Sequence, residues 1–125
     1  RDKTTGEVVF NQPAGHLEAD ESLTEAAQRE TREETGWAVE ILGVLGIALF
    51  TAPSNGITYH RTTFVAKPIA ALENAVIDPD ITQVHWLVYE EILNMSDRMR
   101  SPLVIDAIQQ HRAGHCYPLN LIYSQ

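Results

Sequence analysis

Residues 15–37 read GHLEADESLTEAAQRETREETGW, from Gly15 to Trp37. Ser22 with Glu25 three residues on has the form of a capping box, and Gly36 is the usual left-handed stop. The pair frames a helix of about Leu23 to Thr35. At about 100° per residue, Leu23, Ala26, Ala27, Glu30, Glu33 and Glu34 share one face. Glu25, Gln28, Arg29 and Arg32 fall on the other. The apolar stripe therefore begins as Leu and Ala and continues as three glutamates. Charges are seldom placed on a packing face without something to pair with them. Carboxylates at i, i+3 and i+4 converge, and burial would force some of them to take up protons. A hard divalent cation, Mg²⁺ or Mn²⁺, removes that conflict because it prefers oxygen ligands. The competing explanation is a solvated acidic face, the commoner fate of an isolated E-x-x-E-E.

The surrounding frame decides between them. Gly15, Glu21, Arg29, Glu30, Glu33, Glu34 and Gly36 fill G-x5-E-x7-R-E-x-x-E-E-x-G. A random window meets those seven positions on the order of once in 10⁸ to 10⁹, so the match is not chance. The segment resembles the signature of the Nudix hydrolases at every fixed position. Of two softer positions that favour a bulky apolar residue, Trp37 conforms and Thr31 does not.

The resemblance implies an α/β (α+β) Nudix fold, a mixed β-sheet sandwiched between helices. It implies metal-assisted hydrolysis of a diphosphate joined to another moiety. Glu33 and Glu34 are the foremost candidate metal ligands, with Glu30 as a further ligand or as the base. The resemblance adds the backbone carbonyl of Gly15 to that set. Arg29 is placed to orient a glutamate through a bidentate pair. Glu21, ahead of the helix, is read as shaping the loop in preference to direct ligation, and an acid there also suits the helix dipole. The base is either a box glutamate, Glu30 or Glu34, or an acid from a later loop. Many members place such an acid where Asp80 stands, with Asp78 as the neighbouring alternative. Asp78-Pro79-Asp80 is also ordinary turn chemistry.

The whole chain of 125 residues, 44% hydrophobic, suits a single domain over residues 1–125. There is no run long enough to span a membrane and no signal-peptide pattern. A single cysteine, Cys116, forbids an intrachain disulfide and makes a reducing cytoplasm the default. The net charge of −8 looks adverse for binding phosphates, but its distribution explains it. Residues 15–37 hold seven acids and two arginines, so the rest of the chain carries only −3. A basic nucleic-acid surface is not expected, and a polyanion must meet metal ions. The expected partner is a small-molecule di- or triphosphate.

At the start, Thr4-Thr5-Gly6 reads as a turn into a short strand, Glu7 to Phe10. The resemblance implies further strands before this point, so the chain is expected to start inside the domain. Beyond the helix, Ala38 to Phe50 suits one or two strands around Gly43 and Gly46. Residues 52–56, APSNG, form a turn, and Ile57 to Ala66 returns as a strand with Tyr59, His60, Arg61 and Phe64. A connector, Pro68 to Pro79, leads to an expected strand Ile81 to Val88 carrying Trp86. A short helix starts at Tyr89, and Ser101-Pro102 opens a last helix to about Arg112, with Gly114 as its stop.

Arg61 is a candidate phosphate ligand on a strand, or a strand-edge arginine facing water. Tyr59 and Trp86 are candidates to stack on a base or pyrimidine, although strand aromatics are more often core. The five histidines show no metal-ligand spacing. Segments 10–23, 100–108 and 117–122 look like one bacterial Nudix subgroup of phosphatases. Those enzymes act on thiamine pyrophosphate, its hydroxymethylpyrimidine pyrophosphate precursor and nucleoside di- and triphosphates. Alternatives are a pyrophosphohydrolase of oxidised nucleotides, ADP-ribose or nucleotide sugars, and a non-catalytic ligand-binding module. The latter usually loses box carboxylates, and here all are kept.

Overall fold

The computed structural model describes residues 6–123, so Thr4 and Thr5 of the expected first turn lie outside the described residues. Helix α1 spans Leu23–Thr35. Its capping box is formed: the Ser22 hydroxyl accepts from the Glu25 N–H at 3.2 Å, and the Ser22 N–H donates to the Glu25 carboxylate at 3.1 Å. Gly36 ends it at φ 76°, a left-handed conformation, donating to the Arg32 carbonyl at 2.9 Å. Thr31, the departure from the family pattern, stays within the helix and its hydroxyl donates back to the Ala27 carbonyl at 2.7 Å.

The helix runs directly into β1, Trp37–Thr51, a single long strand where one or two were expected. β1 pairs antiparallel with β2, Thr58–Ala71, and Ala48 faces Arg61 while Phe50 faces Tyr59. β2 continues five residues past its expected end, as Pro68 still pairs with Val39 and Lys67 with Glu40. The Lys67–Glu40 ion pair, at 3.1 Å, is exposed and adds little. Register shifts near Gly43 and Gly46 bend β1. At Gly43 a Cβ would come 2.7 Å from the Tyr117 carbonyl oxygen. The C-terminal segment docks there through two hydrogen bonds between Val44 and Tyr117, at 2.8 and 2.7 Å.

Helix α2 spans Tyr89–Asn94, a 3₁₀ turn Ser96–Arg98 follows, and α3 spans Pro102–Arg112. Ser101 caps α3, its hydroxyl accepting from Leu103 N–H at 3.3 Å. Gly114, at φ 86°, follows the helix end as expected. Ala26 of α1, Val44 and Leu45 of β1, and Val104 of α3 are the buried hydrophobic residues, so both helices pack on β1. The architecture is α+β. No helix among the described residues is long and apolar enough to cross a membrane.

Two expected strands differ from the structure. Glu7 to Phe10 contributes only Phe10, in a parallel bridge to Met99. Ile81 to Val88 forms no ladder among the described residues, and Val84, Trp86 and Val88 are exposed. Its apolar composition favours extended chain, but a strand exists only where an edge is free to pair with it. This segment is held by side chains instead. His85 sits 5.7 Å from the Phe10 ring, and Trp86 meets Trp37 edge-on at 5.5 Å.

Candidate active site

The loop before α1 and the helix itself meet at Arg29. The helical wheel sets this residue on the face away from the glutamates, yet its side chain is only 12% exposed. The guanidinium curls back over the helix. Nε and Nη2 grip Glu21 in a bidentate pair at 2.7 and 3.0 Å, and Nη2 also donates to the His16 carbonyl at 2.9 Å. Nη1 donates to Glu30 at 2.8 Å and to Glu33 at 3.1 Å. Glu18, exposed, lies 3.5 Å away. Arg29 thus contacts three glutamates by hydrogen bonds, bidentately only at Glu21. Glu21 is tied to the loop as well, accepting from the Glu18 N–H at 3.0 Å.

These pairs have electrostatic consequences. The Arg29 guanidinium and the Glu18 N–H hold the Glu21 carboxyl below its usual range. Glu21 in turn leads the interactions that raise Arg29, so its charge is fixed. Glu34, one turn on, is in the opposite state. Burial pushes its pKa up to about 7, and the charges of Glu30, Asp78 and Glu33 push the same way. A hydrogen bond from the Ala14 N–H, at 2.8 Å, only partly offsets this. Among the described residues no Lys or Arg lies within ion-pair distance of Glu34.

The glycine loop lies against the helix. A Cβ built on Gly15 would overlap the Glu30 carboxyl group, so the backbone approaches that carboxylate as closely as chain can. Asp78 N–H donates to the Glu33 carbonyl at 2.8 Å, bringing the 72–80 connector to the same end. Asp78 is thus the later acid that bears on Glu34, whereas its carboxylate also accepts from the Asp80 N–H at 2.9 Å.

The donors fit a hard divalent cation in kind: carboxylate oxygens, with the glycine backbone alongside and one half-buried carboxylate lacking a counter-charge. Their arrangement differs from the expected convergence of three carboxylates. Among the described residues no three His, Cys, Asp or Glu side chains are gathered to enclose an ion. Arg29 holds Glu30 and Glu33, leaving Glu34 apart from them.

The remaining candidates lie elsewhere. Arg61 is partly buried on β2 and is held below the usual arginine range by burial and by Arg100. Trp86 is 70% exposed beside Trp37. Tyr59 sits near the hairpin tip, its hydroxyl accepting from the Asn55 amide at 3.1 Å, and contacts none of the box residues among the described ones. Sequence reasoning missed the Ala14 N–H and the His16 carbonyl, neither of which carries a local pattern.

The family model described as NUDIX domain matches residues 1–107. The chain belongs to the Nudix family. It is 39% identical over 117 residues to the protein named Phosphatase NudJ of Escherichia coli K12, an alignment covering 94% of this chain and 75% of that protein. The Shigella flexneri protein of the same name matches equally. Among solved structures, a NUDIX hydrolase from Nitrosomonas europaea superposes with a TM-score of 0.89 at 37% identity. That match covers 92% of this chain and 78% of the other. The Nudix fold is therefore established, and the chain is a Nudix hydrolase, an enzyme of phosphoanhydride substrates.

Proposed function

We propose that this Nudix hydrolase removes the terminal phosphate from small-molecule di- and triphosphates in a Mg²⁺-dependent reaction, with Mn²⁺ as a substitute. Thiamine pyrophosphate, its pyrimidine pyrophosphate precursor and nucleoside di- and triphosphates are the substrates of choice. One observation carries the metal assignment: Glu34 is half buried among Glu30, Glu33 and Asp78, with its pKa pushed to about 7 by burial and their charges. Such a group calls for a cation. The name phosphatase borne by the relatives supports release of orthophosphate.

Glu30, Glu33 and Glu34, with the Gly15 carbonyl, would hold the metal. When bound, it neutralises phosphate oxygens and acidifies an attacking water. Arg29, anchored by Glu21 and the His16 carbonyl, fixes how Glu30 and Glu33 are presented. The water's proton passes to a carboxylate, either Glu30 or Glu34 of the helix or an acid of the connector. Asp80 was the sequence candidate there, and the position of Asp78 beside Glu34 favours Asp78 over it. Arg61 supplies positive charge for phosphate. The exposed indole of Trp86 offers a stacking surface for the organic moiety, and Tyr59 is the weaker candidate because Asn55 engages its hydroxyl. The overall charge of −8 favours a small substrate over nucleic acid or an anionic membrane. The lone exposed thiol, Cys116, suits the cytoplasm.

A screen of these compounds, with and without Mg²⁺, tests the reading. Orthophosphate from thiamine pyrophosphate is the expected product. Pyrophosphate from an oxidised nucleoside triphosphate, or cleavage only of ADP-ribose or nucleotide sugars, would replace this substrate class. No Mg²⁺-dependent release from any compound would leave a binding module.

A further inference from the structure

The connector after β2 is fastened to the C-terminal end of α1 at two points. The Leu72 N–H donates to the Gly36 carbonyl at 2.8 Å, and the Asp78 N–H donates to the Glu33 carbonyl at 2.8 Å. Between them the chain turns at Glu73-Asn74, with Asn74 in the left-handed region at φ 58°. Ala75 and Ile77 then lie close over the helix end: a Cβ built on Gly36 would sit 3.4 and 3.2 Å from their side chains. A cavity of about 330 Å³ remains between this span and the helix, lined by Arg32, Glu33, Leu72, Glu73, Ala75 and Val76. That volume is at the low end for ligand pockets and suits one ring better than a dinucleotide.

The lining is mixed in character. Val76 is 89% exposed and Leu72 is exposed as well, so the apolar wall has no cover. Arg32 and Glu73 bring opposite charges to the same cavity. Among the described residues neither is within ion-pair distance of the other or of any other charged group. The gap between them leaves space for a group that offers a donor to the acid and an acceptor to the guanidinium. Glu33, a proposed metal ligand, forms part of the wall, which brings the cavity up to the place where a diphosphate would be held. Trp37, next after Gly36, pairs with Ala71 and meets Trp86 edge-on, so the exposed indole belongs to this same end of α1.

We propose that Arg32 and Glu73 read the organic moiety of the substrate by seating a flat heterocycle with an amino group beside a ring nitrogen. The amine donates to the Glu73 carboxylate, the ring nitrogen accepts from the Arg32 guanidinium, and the ring covers Val76 and Leu72. This rests on the function proposed above and narrows its substrate class. The aminopyrimidine of thiamine and of its precursor, adenine and cytosine all present that edge. Uracil and hypoxanthine lack the amine.

The test uses two non-hydrolysable ligands that differ only in that amine, α,β-methylene-ADP and its 6-desamino (purine riboside) analogue. Their binding in Mg²⁺ is measured by calorimetry on the wild type, Glu73→Ala and Arg32→Ala. In the wild type, loss of the amine is expected to weaken binding about fivefold to tenfold, in line with a hydrogen bond to a charged acceptor. In Glu73→Ala the two ligands should bind within about twofold of each other, a coupling that a merely structural role would not produce. Arg32→Ala should weaken both ligands about fivefold, because both keep the ring nitrogen. Thermal melting confirms that each variant is folded. An equal penalty for the missing amine with and without Glu73, no loss in Arg32→Ala, or no wild-type binding of either ligand would overturn the proposal. Phosphate release from ADP and thiamine pyrophosphate by the wild type is followed in parallel. Normal release without the Glu73 coupling means that the seat alone is wrong. If no phosphate is released while the coupling is present, the function is wrong and the seat stands.

Discussion

Glu21, just ahead of α1, and Glu34, in its last turn, fare in opposite ways. Glu21 accepts two hydrogen bonds from Arg29 and is held ionised. Glu34 receives one backbone N–H, faces other acids, and sits near neutrality at about 7. Both are glutamates of one short motif, so residue type does not set their roles. Counter-charge does. The Glu21–Arg29 side is a finished structural unit. The Glu34 side lacks a counter-charge among the described residues, and under the proposed function a cation would complete it.

The largest effect should come from the incomplete side. Glu34→Gln and Glu33→Gln are each expected to lower turnover roughly 10²-fold or more while the fold survives. Steady-state rates and circular dichroism check this, and near-normal turnover in both variants would remove the metal assignment. On the finished side, Arg29→Ala strands three carboxylates that it now pairs. A loss of about 2–3 kcal/mol in urea unfolding is expected. Arg29→Lys should recover only part, since an ammonium cannot reproduce the bidentate grip on Glu21. Full recovery with lysine would reduce the unit to simple charge balance.

A smaller effect separates the sides by pH. Folding raises the Glu34 pKa from 4.5 to about 7, so between those values the folded chain binds more protons than the unfolded one. In chelator, this residue's contribution therefore falls as pH rises from about 4.5 to about 7. After allowance for solvent screening of a half-buried group, the loss is about 1–2 kcal/mol. Glu34→Gln should flatten that slope in urea titrations, and an unchanged slope would contradict the described environment. The smallest effect is expected at Trp86→Ala. Loss of a stacking surface should raise KM about threefold to tenfold with kcat preserved, and an unaltered KM would free Trp86 from any substrate role.

What was legible in the sequence was local. Ser22, Glu25 and Gly36 fix α1 through contacts within one or two turns, and the structure forms each of them. Ser101-Pro102 sets the start of α3 in the same way. The 81–88 segment was misread because apolar composition marks extended chain but not the edge that would pair with it. The fold of Arg29 over its helix depends on Glu21 and His16 in the preceding loop, which no helical wheel contains.

Two glycines would answer the same substitution in different currencies. A methyl group at Gly43 runs into a carbonyl oxygen of the docked C-terminal segment, which cannot step aside without undoing Val44's bonds. A methyl at Gly15 meets only the tip of a pliable glutamate, which can swing clear. Alanine at 43 should therefore register as poor folding, and alanine at 15 as a sound protein that does no chemistry.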